Sequence, residues 1–264
     1  MVSGKKKRGG GSKSATKAAR AAVTASKPKP WGTIIAIVAV LLLAGGVFGY
    51  AYIQISENNK FRVSEDNQDP SESIAGVVRK EYPAGKHVTA NERVAYDQSP
   101  PFGGPHDEVW ADCEGIVYPK PVRSENMVHA LEHGAVWIAY NPDQVKGQAL
   151  NKLKQRTEGQ QFTMLSPYPR LDKPISLQSW GHQLKVSSAD DERIDQFIKS
   201  LRRNQYQYPE VDATCGPIPG RFDPNNPPTE PAAPPGPEAK PMNFGGDPQA
   251  QQDMGGGQQA PAGG

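Results

Sequence analysis

The apolar residues fall into one long uninterrupted run followed by many short ones. Trp31 to Ile53 contains 23 residues without a charge, rich in Ile, Val, Leu and Ala. A helix of about 20 such residues spans a hydrocarbon core about 30 Å thick. Trp31 at one end and Tyr50 and Tyr52 at the other match the aromatic belts of a bilayer interface. After this run the pattern is that of a folded domain. Ile74, Val77 and Val78, then Lys86 to Thr89, predict short strands around a Pro-Ala-Gly turn. Residues 96–124 hold eight Pro or Gly and read as an extended, loop-rich arm. Glu125–Glu132 predicts a short helix stopped at Gly134. Ala135–Tyr140 is apolar throughout and predicts a buried central strand. Asn141-Pro-Asp-Gln144 combines an Asn cap, Pro at the first helical position and Gln at the third, predicting a helix to about Arg156. Gln161–Leu165 reads as a strand and Ile175–Val186 as a bent strand or hairpin around Trp180-Gly181. Ser188 is placed to cap a last helix carrying Ile194, Phe197, Ile198 and Leu201 at helical spacing. The class expected is α+β: a single small mixed-sheet domain with about three helices, preceded by one transmembrane helix.

Composition divides the chain further. Residues 1–30 carry nine Lys or Arg and no acid, the mark of a disordered basic arm. Residues 54–72 are polar and read as a stalk, 73–216 as the globular domain, and 217–264, dense in Pro, Gly and Gln, as a disordered tail. Positive charge flanking a first span stays cytoplasmic. That predicts a single-pass cell-membrane protein with its amino terminus inside and its domain extracytoplasmic. The run is long for the 7–15-residue apolar core of a signal peptide, and no Ala-x-Ala cleavage site follows it, so an uncleaved signal-anchor is expected over a removed leader. Outside the arm, 21 cations face 28 acids, a net −7, so the overall +2 is topological. Anionic lipid is the expected partner of the arm; no reader motif or interleaved aromatics point to nucleic acid. Gly45 and Gly49 form a G-x-x-x-G pair through which two such helices can dimerise.

His129, Glu132 and His133 carry the most pointed chemistry. Positions i, i+3 and i+4 of a helix share a face, so two imidazoles converge beside a carboxylate. Neutral imidazole is a common ligand for zinc and copper. The trio is a candidate metal half-site, a general-base pair, or a hydrogen-bonded helix end in which His133 favours the negative end of the helix dipole. His106, in the rigid loop Pro-Pro-Phe-Gly-Gly-Pro-His106, and His182, after Trp180-Gly181, are candidates to complete a site of three or four nitrogens. The remaining histidine is His87. Met127 and Met164 are expected in the core. Cys113 and Cys215, the only cysteines, lie on the side predicted to face outward, where a disulfide closing a loop of about 100 residues persists; thiolate ligation beside the histidines is the alternative.

His129-x-x-Glu132-His133 also matches the inverted zinc motif, in which both His bind zinc and Glu activates water. The string resembles the insulinase/pitrilysin metallopeptidases, whose third ligand is a distant Glu. Glu210 follows His133 at a spacing those enzymes also use, but they build the site from a much larger pair of domains with a different order of elements. A broader resemblance covers residues 74–210. Tyr96 to His106, Gly115-Ile-Val-Tyr118, Val128 to Tyr140, Ser166-Pro-Tyr-Pro169, Pro174-Ile175 and Trp180-Gly181 together resemble the domain-of-unknown-function 3105 family. The resemblance implies a bacterial, often actinobacterial, envelope protein with one amino-terminal membrane helix, and implies no reaction. Members more usually have Ser-Gly-Pro-His where this chain has Gly-Gly-Pro-His106. Three functions stay open: a tethered domain holding copper or zinc, a structural module binding an envelope partner, or a zinc hydrolase with Glu132 as base.

Overall fold

Strand β5 (Val136–Tyr140) is buried along its whole length, because the sheet it belongs to is covered on both faces. In the computed structural model, which describes residues 30–244, the order of elements is α1 (Trp31–Lys60), a 3₁₀ turn (Pro70–Ser73), β1 (Val77–Arg79), β2 (His87–Val88), β3 (His106–Asp107), β4 (Glu114–Val117), α2 (Ser124–Glu132), β5, α3 (Gly147–Gln155), β6 (Thr163–Pro167), β7 (Ile175–Ser179), β8 (His182–Val186) and α4 (Arg193–Leu201). The expectations for the basic arm, and for the last residues of the tail, fall on 1–29 and 245–264, outside the described residues.

Two compact units divide at Tyr52 and Ile53. The first carries most of the apolar stretch of α1; Trp31–Ser56, 26 residues, is long and apolar enough to cross a membrane. Its large side chains, Leu41, Leu42, Leu43 and Phe48 among them, are exposed, and a Cβ at Gly45 or Gly49 would meet open space.

The second unit is the α+β domain. Its six-stranded sheet runs β1-β8-β7-β5-β6-β4, antiparallel from β1 to β5 and parallel from β5 through β6 to β4. The stretch expected to be a bent strand or a hairpin is the hairpin β7–β8, turning at Trp180-Gly181, where Gly181 takes the positive φ that the turn requires. Alternate residues of β5 serve two cores. Trp137 and Ala139 join Met164 and the apolar residues of α2 and the loop-rich arm. Val136, Ile138 and Tyr140 join Leu153 of α3 and Ile194, Phe197 and Leu201 of α4. Met127 and Met164 are fully buried in the first core, as expected.

Several local readings shift. The strands around the Pro-Ala-Gly turn do not pair with each other: β1 joins β8, and β2 pairs in parallel with β3 in a separate two-stranded sheet. The loop-rich arm contains β3 and β4. The Asn141 signal opens a turn rather than the helix. Asn141 Oδ1 accepts from the N–H of Asp143 (3.0 Å), and α3 starts only at Gly147, whose positive φ interrupts helical geometry. The last helix begins at Arg193, with Asp191 Oδ1 accepting its N–H (3.0 Å), while Ser188 serves Asp190 (3.1 Å).

Both flanks of the predicted domain carry more structure than their composition announced. Within the polar stretch 54–72, Ser71 is fully buried and Gln68 accepts from Asn204 (2.8 Å). Residues 217–244 run back over the domain: Phe222 enters the core, Thr229 bridges Val122, and Lys240 bridges Val94. Glu230 does the most. The first N–H of α2, that of Ser124, donates to its carboxylate (2.7 Å), and Arg93 and Arg170 pair with it (3.3 Å each). The cap that α2 lacks in its own sequence comes from this segment. Cys113 and Cys215 are joined, Cα–Cα 4.9 Å, across 102 residues.

Gly115 sits at a bulge where β4 meets β6, with a positive φ, and a Cβ there would stand 2.6 Å from the backbone nitrogens of Gly159 and Gln160. Gly115→Ala is therefore expected to cost about 2 kcal/mol or more in chemical denaturation. Wild-type stability in that variant would mean the bulge is not rigid.

Candidate metal centre

Helix α2 is buried on every side, which its mixed sequence of Ser124-Glu-Asn-Met-Val-His-Ala-Leu-Glu132 does not suggest. Burial is possible because its polar side chains meet backbone from surrounding loops. Glu125 accepts from Val94 (2.9 Å), Asn126 donates to Val109 (2.7 Å), and Glu132 Oε1 accepts from Gly85 (2.7 Å). The two histidines behave alike: Nδ1 of His129 lies 2.6 Å from the carbonyl of Asp107, and Nδ1 of His133, the residue that ends the helix, 2.7 Å from that of Thr214. His106 does the same with Gly104 (2.9 Å). A carbonyl can only accept, so these contacts put a proton on Nδ1 and leave Nε2 as the nitrogen that can serve as a ligand. Hydrogen bonds from the non-ligating nitrogen to carbonyls are the usual outer support of metal-binding histidines.

Asp107 fixes the first of these contacts. Its own carboxylate accepts from Val109 (2.8 Å) and pairs with buried Arg123, so the carbonyl facing His129 is held from both sides. The register of β2 and β3 sets His87 opposite His106. The ring centroids of His87, His106 and His129 lie 4.7–5.1 Å apart, with His87 stacked on His129 at 28°. One donor atom from each of His87, His106, His129 and Glu132 falls within 4.8 Å of every other, and the same holds for His129, His133 and Glu210.

The contact between His106 and Glu132 is unusual. Nε2 and Oε2 stand 2.7 Å apart, both side chains have no solvent exposure, and the two atoms are not aligned as a hydrogen bond. A carboxylate this close to a ring nitrogen in a dry site requires positive charge at the contact, either a proton on Nε2 or a metal cation held between the two atoms. Charge states agree with a site prepared for one. Burial, with the neighbouring His106 and His133, pushes His129 down to about 3, so it stays neutral. Burial also lowers His133, against the opposing pull of Thr214 and Glu210. For Glu132 burial works to raise the carboxyl, but His106, His129 and the Gly85 N–H outweigh it and the group is lowered, keeping it anionic. The donor set fits a first-row divalent ion: three imidazoles and a carboxylate suit zinc or copper(II), and both sulfurs are occupied in the disulfide.

Of the residues singled out from sequence, His106, His129, Glu132 and His133 come together. His182 does not. Its Nδ1 faces the carbonyl of Trp180 (2.7 Å) and its Nε2 meets Asp69 (3.2 Å), so both ring nitrogens are engaged outside the cluster. The oxygens of Glu132 face the Gly85 N–H and His106 Nε2. Glu210 does stand by His133 (3.1 Å), the position its spacing suggested. His87 was missed, and only strand pairing could have found it. At Gly103 a Cβ would overlap the ring of Tyr82.

The fold and site together define an α+β domain, following one apolar helix, with a histidine-carboxylate cluster that could hold a metal ion. The chain belongs to the family described as protein of unknown function (DUF3105), whose model matches residues 87–217. No curated protein and no solved structure matches it.

The Asp69–His182 pair makes a separate contribution to stability. Burial acts to raise the Asp69 carboxyl, but His182, Ser71 and Arg79 outweigh it and hold it at about 2, below the ordinary 3.8. A carboxyl lowered on folding stabilises above its unfolded value and loses that contribution as pH falls toward the folded one. Asp69→Asn should thus destabilise by about 1–2 kcal/mol at pH 7, allowing for partial exposure, with the gap closing between about pH 4 and pH 2. Thermal melts across that range check this; a gap that does not change with pH would remove the ionic pairing from the account.

Proposed function

We propose that this protein is a single-pass membrane-anchored metal-binding protein whose domain, on the outer side of the membrane, holds one zinc or copper(II) ion on His106, His129 and Glu132, with His87 as the exposed fourth donor. The observation that carries the reading is the convergence of one donor atom each from His87, His106, His129 and Glu132 to within 4.8 Å, with the Nδ1 atoms of His106 and His129 held on backbone carbonyls. The orientation is supported by the nine cations before the apolar helix and by the disulfide, which persists in oxidising compartments. Tethering to the membrane suits the capture of ions for a neighbouring membrane protein.

Zinc binding to the folded state alone stabilises it by about 2.7 kcal/mol at 100 times Kd, which for a domain near 200 residues is a Tm rise of roughly 5–10 °C. Purified full-length protein without a histidine tag is expected to show that rise. His106→Ala and Glu132→Gln should each weaken zinc affinity at least about tenfold, the usual minimum for disturbing a metal site. His182→Ala should change affinity little. Equal zinc affinity in wild type, His106→Ala and Glu132→Gln would overturn the assignment and leave the histidines as elements of the fold.

A further inference from the structure

The second donor set, His129, His133 and Glu210, shares a residue with the first, and the geometry of that residue limits both. His129 Nδ1 is bound to the Asp107 carbonyl at 2.6 Å, so a single nitrogen, Nε2, remains to serve either set. We infer that the two sets are alternative seats for one ion, an outer seat at His133 and Glu210 and an inner seat at His87, His106 and Glu132, with His129 common to both. The inference rests on the metal-binding reading above.

Several features distinguish the two seats. The inner one offers four donors, with His106 and Glu132 fully buried. The outer one offers three, of which the Glu210 side chain is 43% exposed while His133 is 3% exposed. Nε2 of His133 lies 3.1 Å from Glu210 Oε2 while the Thr214 carbonyl holds the other nitrogen, so this seat too has its imidazole preset toward a carboxylate. The rings of His129 and His133 are 4.7 Å apart, and Trp110 covers both, 5.4 and 4.6 Å away, its indole N–H held by the Gly216 carbonyl (2.7 Å). The disulfide ties this wall down: the N–H of Cys113 donates to the carbonyl of Cys215 (3.0 Å), one residue beyond Thr214. An ion taken by exposed Glu210 therefore needs to exchange only its carboxylate and one imidazole, keeping His129, to reach the seat with more donors. That is the arrangement of a handover site, with exposed groups, Glu210 and His87, at its two ends.

Zinc titration of the full-length, tag-free protein in detergent tests the sharing. The expected results are one ion per chain in the wild type and one in Glu210→Gln with little change in affinity. His106→Ala should still bind one ion, at least about tenfold more weakly as expected for a depleted site, and His106→Ala with Glu210→Gln should bind none. Glu210 is at the surface, so its variant should fold, and the wild-type stoichiometry needs no variant at all. Two ions per wild-type chain would overturn the sharing while leaving the metal reading intact. So would a His106→Ala affinity unaffected by adding Glu210→Gln. No ion in the wild type would overturn both.

Discussion

In the interior of this domain a ring nitrogen of His106 and a carboxylate oxygen of Glu132 are held 2.7 Å apart, both side chains without solvent exposure. Removing charged and polar groups from water costs several kcal/mol each when they are not satisfied. Much of the surrounding architecture serves to keep that pair in place. The Gly104 carbonyl orients His106, the Gly85 N–H orients Glu132, and the pairing of β2 with β3 fixes the strand that carries His106. Glu125, Asn126 and His129 of α2 are bound to backbone groups of the chain that precedes the helix, so the two form one unit. An apolar helix of the same length could bury itself without these loops; this one cannot.

The covalent link and the returning segment act on the two ends of the same helix. Glu230, from beyond the expected domain boundary, accepts from the first N–H of α2 and is itself held by Arg93 and Arg170. At the other end the Cys113–Cys215 bond brings Thr214 and Gly216 beside His133 and Trp110. Such a bridge restricts the unfolded chain by up to about 4–5 kcal/mol in the chain-entropy view. Its structural effect is local: it holds the wall of the outer seat.

The fold was legible where periodicity is strong. The buried strand and the apolar spacing of the last helix follow from the run of apolar residues and the helical repeat, the stop of the short helix follows from Gly134, and the stretch around Trp180-Gly181 was legible as either a bent strand or a hairpin. The sheet of β2 and β3 was not, because such short strands carry no period. The cap signal at Asn141 was real but was spent on a turn, since Gly147 separates it from the helix. Within the site, the helical trio was readable because its residues are neighbours in sequence. His87 and Glu210 were not readable in the same way: each is brought in from a distant stretch by contacts with backbone groups that any sequence possesses. His182 was misread for a physical reason, since the glycine before it makes a hairpin turn and its partner, Asp69, lies in a stretch whose composition resembles a spacer.

X-ray absorption at the zinc edge of the metal-loaded protein tests the central claim most directly. Nitrogen and oxygen neighbours at about 2.0–2.1 Å, with the outer-shell scattering of at least two imidazole rings, are the result the buried cluster predicts. A sulfur shell near about 2.3 Å, or light-atom neighbours with no imidazole signature, would place the ion elsewhere and contradict the account.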